Sequence, residues 1–146
     1  MSIKHHIQID GVKMRGYVDI GTDMEEDDDV QIASNALIFM VVCLHSNWKI
    51  PVAYFLINGL SGDERANLVE ECLKRLHESN IEVPSVTFDG LSCHFTMASC
   101  LGAKLDLPDP QPWFKHPSDP QKRVFVILDI CHMLKLMRNN WASLKV

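Results

Sequence analysis

Two short apolar runs in this chain each stop on an aspartate. Val86-Thr87-Phe88 runs into Asp89 and Gly90, and Val124-Phe125-Val126-Ile127-Leu128 runs into Asp129, with His132 three residues on. Short runs rich in β-branched and aromatic residues read as buried strands. An acid placed directly after such a strand stands at the edge of a sheet, where open α/β sheets keep their ligands and metals. The pair of runs therefore points to an α/β fold with parallel neighbours. Two readings of the acids stay open. They form a cation site or a nucleic-acid-processing site, or each caps the helix that follows, since aspartate is a good N-cap.

The chain has 146 residues, which suits one domain with a real core. Its formal net charge is −5, and the run Glu25-Glu26-Asp27-Asp28-Asp29 alone matches that figure. Such a run of like charges repels itself and reads as a solvated loop; it lacks the glycine and the distal glutamate of a calcium loop. The acidity is thus local and does not exclude a nucleic-acid partner, although no basic stripe advertises one. The cysteines (Cys43, Cys72, Cys93, Cys100, Cys131) are odd in number, with no Cys-x-x-Cys pair. They read as reduced and buried cysteines of an intracellular protein rather than a disulfide framework. Cys93-His94 and Cys131-His132 are possible ligand pairs, but the usual zinc spacing is missing. No signal peptide is recognisable, and the apolar stretch 36–44 is too short to span a bilayer, so no membrane partner is expected.

Along the chain, residues 1–9 and 12–20 alternate loosely around Asp10-Gly11, a strong hairpin signal. Residues 36–44 form a near-continuous apolar run, expected as a central strand buried on both faces. Residues 50–57 follow as its antiparallel partner, with Pro51 near the start. Ser61-Gly62-Asp63-Glu64 fits a capping box, and Leu68, Cys72, Leu73 and Leu76 continue at helical spacing until Asn80. Residues 92–101 suit a shorter helix with Phe95, Ala98 and Leu101 inward and Gly102 as its stop. Residues 106–120, broken by Pro108, Pro110, Pro112, Pro117 and Pro120, are expected to be irregular. A final helix puts Ile130, Leu134, Met137, Trp141 and Leu144 on one face, with His132, Lys135 and Asn139 on another. The expected fold is an α/β, ribonuclease H-like mixed sheet: three antiparallel strands, then two parallel strands, flanked by helices. In that fold, carboxylates at adjacent strand ends hold two divalent metals that clamp a phosphodiester in line, and hard oxygen ligands favour Mg²⁺ or Mn²⁺.

Several segments carry a specific likeness: Met1-Ser-Ile-Lys, Gly16-Tyr-Val-Asp-Ile-Gly21, Ala36-Leu-Ile-Phe-Met40, Trp48-Lys-Ile-Pro-Val52, Thr87-Phe-Asp-Gly90 and Asp129-Ile-Cys-His-Met-Leu-Lys-Leu-Met-Arg-Asn139. In order and over nearly the whole chain they resemble the P-element type of DNA transposase, with its THAP-domain relatives. The resemblance implies a ribonuclease H-like catalytic domain that cuts and rejoins DNA with three acids and two metals. It implies a nuclear protein whose GTP-recognising domain interrupts the fold after the last helix seen here.

By this resemblance residues 1–146 form a partial catalytic domain, truncated at both ends. Asp89 matches the second catalytic and metal-binding acid. Asp129 and His132 match a supporting Asp-x-x-His signature. The first acid falls just before Met1 and the third beyond Val146. Asp19 is a weak substitute for the first. No zinc-bearing DNA-binding module and no glycine-rich nucleotide loop is present, so GTP is expected only through the absent insertion. The resulting expectation is a chain inactive alone, or a domesticated module that binds protein or DNA. Open strand edges favour self-association or pairing with a full-length transposase.

Overall fold

The first helix in the second half of the chain starts from one side chain. In the computed structural model, which describes residues 1–3, 8–10, 13–20 and 31–144, Ser61 accepts from the backbone N–H of Glu64. The Glu64 carboxylate in turn accepts from the Ser61 N–H at 2.8 Å and from its hydroxyl at 2.6 Å. That reciprocal box satisfies donors that a helix leaves orphaned at its start, and these hydrogen bonds hold the Glu64 carboxyl below its ordinary value. The chain divides into two units, Met1–Leu60 and Ser61–Val146, and each is described by itself.

In the first unit, β1 (Gln8–Asp10) and β2 (Lys13–Arg15) pair antiparallel with Asp10 opposite Lys13, the register that a two-residue connection requires. Residues 11–12, and the acidic run 25–29, lie outside the described residues. Strands β3 (Asn35–Val42) and β4 (Lys49–Ile57) form an antiparallel pair from Asn35↔Ile57 to Val42↔Lys49. The register slips between Phe39 and Met40, so that Met40 faces Pro51. A bulge is where a strand tolerates a residue without an N–H. Backbone bonds add residues 1–3 beside β3 and Asp19 beside Leu56 of β4.

The expectation that 36–44 is buried on both faces fails. The strand ends at Val42, and Ile38, Met40 and Val42 are exposed while Leu37, Phe39 and Val41 are half-buried. The period of two decides this, because alternate side chains leave by opposite faces. Phe39 and Phe55 meet edge to face at 5.8 Å on the more covered side.

In the second unit, α1 (Gly62–Glu78) is followed by β5 (Ser85–Phe88), α2 (Ser92–Cys100), β6 (Trp113–His116), β7 (Asp119–Leu128) and α3 (Ile130–Ser143). Asn80 turns the chain out of α1 at φ 57°, and Gly102 does so after α2 at φ 97°. The sheet order is β5-β7-β6, with β5 and β7 parallel and β6 antiparallel to β7. Two- and three-stranded sheets thus replace the expected sequence of three antiparallel and two parallel strands. The stretch 106–120 is not wholly irregular. Its prolines flank Trp113–His116 rather than interrupt it, so an edge strand forms there.

The core joins Ala66 and Leu73 of α1, Met97 and Ala98 of α2, Leu101, Ala103, Phe114 of β6, and Val124 and Val126 of β7. Phe95, expected inward, is exposed, and Met97 takes that role. On α3 the row Ile130, Leu134, Met137, Trp141 and Leu144 is exposed. The helix instead turns Met133 towards Gly90, where an added Cβ would run into the Met133 methyl carbon. No helix of the described residues is long and apolar enough to cross a membrane.

Candidate active site

The parallel register Phe88↔Leu128 brings the two strand-terminal aspartates to the same level of neighbouring strands. The Asp129 N–H donates to the Phe88 carbonyl at 3.0 Å, which carries the ladder one step past β7. Their side chains then part company. Asp129 is the N-cap of α3, and its Oδ1 accepts from the Cys131 N–H at 3.0 Å. The capping reading therefore holds for this acid. His132 lies half-buried in the first turn of α3.

Asp89 caps nothing. Helix α2 starts later, at Ser92, with Leu91 as an N-cap that offers no side-chain oxygen. The Asp89 carboxylate is 36% exposed, yet its Oδ1 is closed off from solvent with no donor in line. Its close polar neighbour is Nδ1 of His94 at 2.6 Å. The His94 ring is only 14% exposed and lies 5.4 Å from the Phe88 ring, tilted against it. The same Nδ1 sits 2.9 Å from the Asp89 carbonyl, in hydrogen-bonding geometry. Asp89, Gly90 and His94 thus form one knot at the turn from β5 into α2. Sequence reading marked His94 only as a neighbour of Cys93. The legible signal was its place in the first turn of α2, from which a side chain can reach back to the segment before the helix.

A carboxylate that is one-third exposed and takes part in no helix cap is a suitable oxygen ligand for a hard divalent cation. As a set, the described residues supply that one ligand and not a complete site: no three His, Cys, Asp or Glu side chains among them converge. Asp19 belongs to the first unit, in its backbone pairing with Leu56. The cysteines are free thiols. Cys43, Cys72 and Cys93 are half-buried, and Cys100 and Cys131 are exposed, against the expectation that all are buried. Burial raises the Cys72 thiol above its ordinary value.

At the opposite ends of β5 and β7 lies a cavity of about 170 Å³ lined by His77, Glu82, Val83, Pro84, His116, Lys122 and Arg123. The His77 and His116 rings are 5.1 Å apart. His116 is 4% exposed and its Nδ1 accepts from the Ser118 N–H at 3.1 Å. Burial, and then the neighbouring His77, lower its affinity for a proton. Lys122 is paired with Glu82 at 3.0 Å, and Arg123 stacks over Trp113 at 4.2 Å. The cations around this cavity are therefore already engaged.

Comparison with known proteins bears on the family and the fold. The profile of the TNP-like, RNase H N-terminal domain family matches residues 1–102. The human DNA transposase THAP9 is 31% identical over 145 residues, covering 98% of this chain and 16% of that protein. The P transposase of a Drosophila melanogaster transposable element is 29% identical over 119 residues, covering 82% of this chain and 14% of that protein. The chain thus spans about one-sixth of the length of these relatives. The solved strand transfer complex of the Drosophila P element transposase superposes with a TM-score of 0.68, over 98% of this chain and 28% of that one. At 23% identity, that likeness is one of fold. The chain is a relative of the P-element type transposases and belongs to the TNP-like, RNase H N-terminal domain family.

Proposed function

We propose that this chain is part of the ribonuclease H-like catalytic domain of a DNA transposase, that Asp89 is one of its metal-ligating acids, and that the chain does not cleave DNA alone. The observation that carries this reading is the contrast at the sheet edge. Asp129 gives one oxygen, Oδ1, to a helix cap, whereas the Asp89 carboxylate takes part in no cap. In-line displacement at a phosphodiester uses two metal ions, and a single carboxylate cannot hold both. Mg²⁺ or Mn²⁺ is the cation that such an oxygen ligand would take. DNA as substrate and a nuclear location belong to the same reading. Asp129 and His132 support the edge mechanically, by starting α3 at the height of Asp89. Incubating the purified chain with supercoiled plasmid and Mn²⁺ tests the inactivity, and no nicking is expected. Metal-dependent nicking that disappears in Asp89→Ala would mean that a complete site exists, and would overturn it.

A second reading is a non-catalytic interaction module. It is favoured by the exposed row Ile38, Met40, Val42 and Tyr54 on the β3–β4 hairpin, an apolar strip of the kind that marks contact surfaces. A second copy or a full-length transposase would cover it. Light scattering at micromolar concentration distinguishes the cases: a monodisperse monomer that captures no transposase counts against this second reading.

A further inference from the structure

We infer that His94 is the positioning residue of Asp89: its Nδ1–H donates to the Asp89 carbonyl, and the ring so held lies over Oδ1, closes that carboxylate oxygen and leaves Oδ2 as the oxygen offered to a divalent cation. This rests on the reading of Asp89 as a cation ligand and adds how the ligand is aimed. Both groups facing Nδ1, at 2.9 Å and 2.6 Å, are acceptors. A bare nitrogen lone pair there would meet two oxygen lone pairs, so Nδ1 carries the proton. The ring cannot swing away easily. Phe88 packs on one side, and the backbone of His94 is already tied into α2 through its N–H to the Leu91 carbonyl at 2.9 Å.

The contact also does what a capping side chain usually does. Leu91 supplies no side-chain oxygen at the start of α2. The third residue of the helix reaches back instead, and ties the strand end to the helix start. With Oδ1 closed and the side chain still 36% exposed, the carboxylate has one face for a ligand. A partner that fixes a ligating group in this way typically changes metal affinity by about 10–100-fold when removed.

The test uses the whole 146-residue chain, labelled with ¹⁵N. Long-range proton–nitrogen spectra of the metal-free protein at neutral pH are expected to place the His94 proton on Nδ1; a bare Nδ1 overturns the inference outright. Mn²⁺ alone is then titrated while broadening of the Gly90 amide is followed. Wild type is expected to bind through Asp89, with the signal lost in Asp89→Asn. His94→Ala is expected to bind about tenfold more weakly. His94→Asn, whose carboxamide N–H can reach the same acceptors, is expected to recover most of the loss. Should His94→Ala unfold, His94→Leu keeps the bulk without the donor and takes its place. Asp89-dependent binding that His94→Ala or His94→Leu leaves unchanged overturns this inference alone. Equal losses in the Asn variant and in the donor-free one, with melting temperatures intact, also overturn it. Absence of any Asp89-dependent binding in wild type removes both this inference and the reading beneath it.

Discussion

Gly62→Ala is expected to destabilise the second unit, although alanine is the better helix former. Gly62 is the first residue of α1, and α2 crosses it closely. A Cβ built there would lie 2.5 Å from both Cβ and Cγ2 of Thr96 and 2.9 Å from the backbone nitrogen of Met97. Two of these atoms cannot be moved by a side-chain rotation, so the helices must separate. Overpacking of this kind costs about 1–3 kcal/mol, against up to about 1 kcal/mol returned by helix propensity, less at a helix start. The net loss is roughly 1–2 kcal/mol, which lowers Tm by about 5–15 °C for a unit of this size. Thermal and urea melts followed by circular dichroism measure it. Thr96→Gly removes both clashing side-chain atoms, so the double variant should be more stable than the sum of the single changes allows. Thr96 is two residues from His94, so spreading the helices should also loosen the contact to Asp89. A Gly62→Ala protein as stable as wild type, or a strictly additive double variant, would refute the packing argument.

Gly90→Ala should cost less than Gly62→Ala, because the atom in the way is the flexible tip of Met133; a larger drop in urea midpoint than for Gly62→Ala would contradict this. Phe114→Ala, at a 2%-exposed position in the core, should lose about 3–5 kcal/mol, read from the same urea curves, and a loss under 1 kcal/mol would mean that the site collapses freely. Ser61→Ala removes the cap of α1 and should cost about 1 kcal/mol, whereas an unchanged melt would show the box to be dispensable. Acidification should weaken the fold in two stages. The proton affinity of His116 is depressed in the folded state, so stability is full above its ordinary value of 6.5 and falls as pH drops through 6.5 towards the folded value, because the unfolded chain takes the proton first. The Glu64 contribution is present above 4.5 and is lost below it. Urea midpoints from pH 7.5 to 3.5 in wild type and His116→Phe read both stages, and an upper stage that survives in His116→Phe would sink the assignment.

The sequence pattern was most informative where chemistry is local. The capping box at Ser61, the stops at Asn80 and Gly102, and the parallel pairing of β5 with β7 all follow from residues close in sequence, or from a strand–helix–strand order that forces a crossover. It was least informative where a third dimension decides. Strand β6 was hidden because its prolines dominate the composition of 106–120, while the four residues that pair are free of them. The apolar row of α3 is periodic, yet periodicity does not say whether anything lies against it; Met133, off that row, makes the contact with Gly90. The burial of β3 was overstated because a continuous apolar run has no polar residue to reveal its outward face.

The two strand-terminal acids show how spacing separates a cap from a ligand. After Asp129 the helix begins at the next residue, so the first free N–H groups of α3 lie within reach of its carboxylate, and Cys131 takes an oxygen. After Asp89, Gly90 and Leu91 intervene before α2, and the cap position passes to Leu91. Those two residues carry the Asp89 carboxylate out of range of the cap geometry, and Gly90 leaves room for Met133 to close over the turn. Here the helix that starts one residue after the acid takes one of its oxygens as a cap, and the helix that starts three residues after the acid takes none. His94 then bonds the Asp89 carbonyl and lies against Oδ1, which no backbone donor has claimed. For these two aspartates, the distance from acid to helix decides which carboxylate enters a cap.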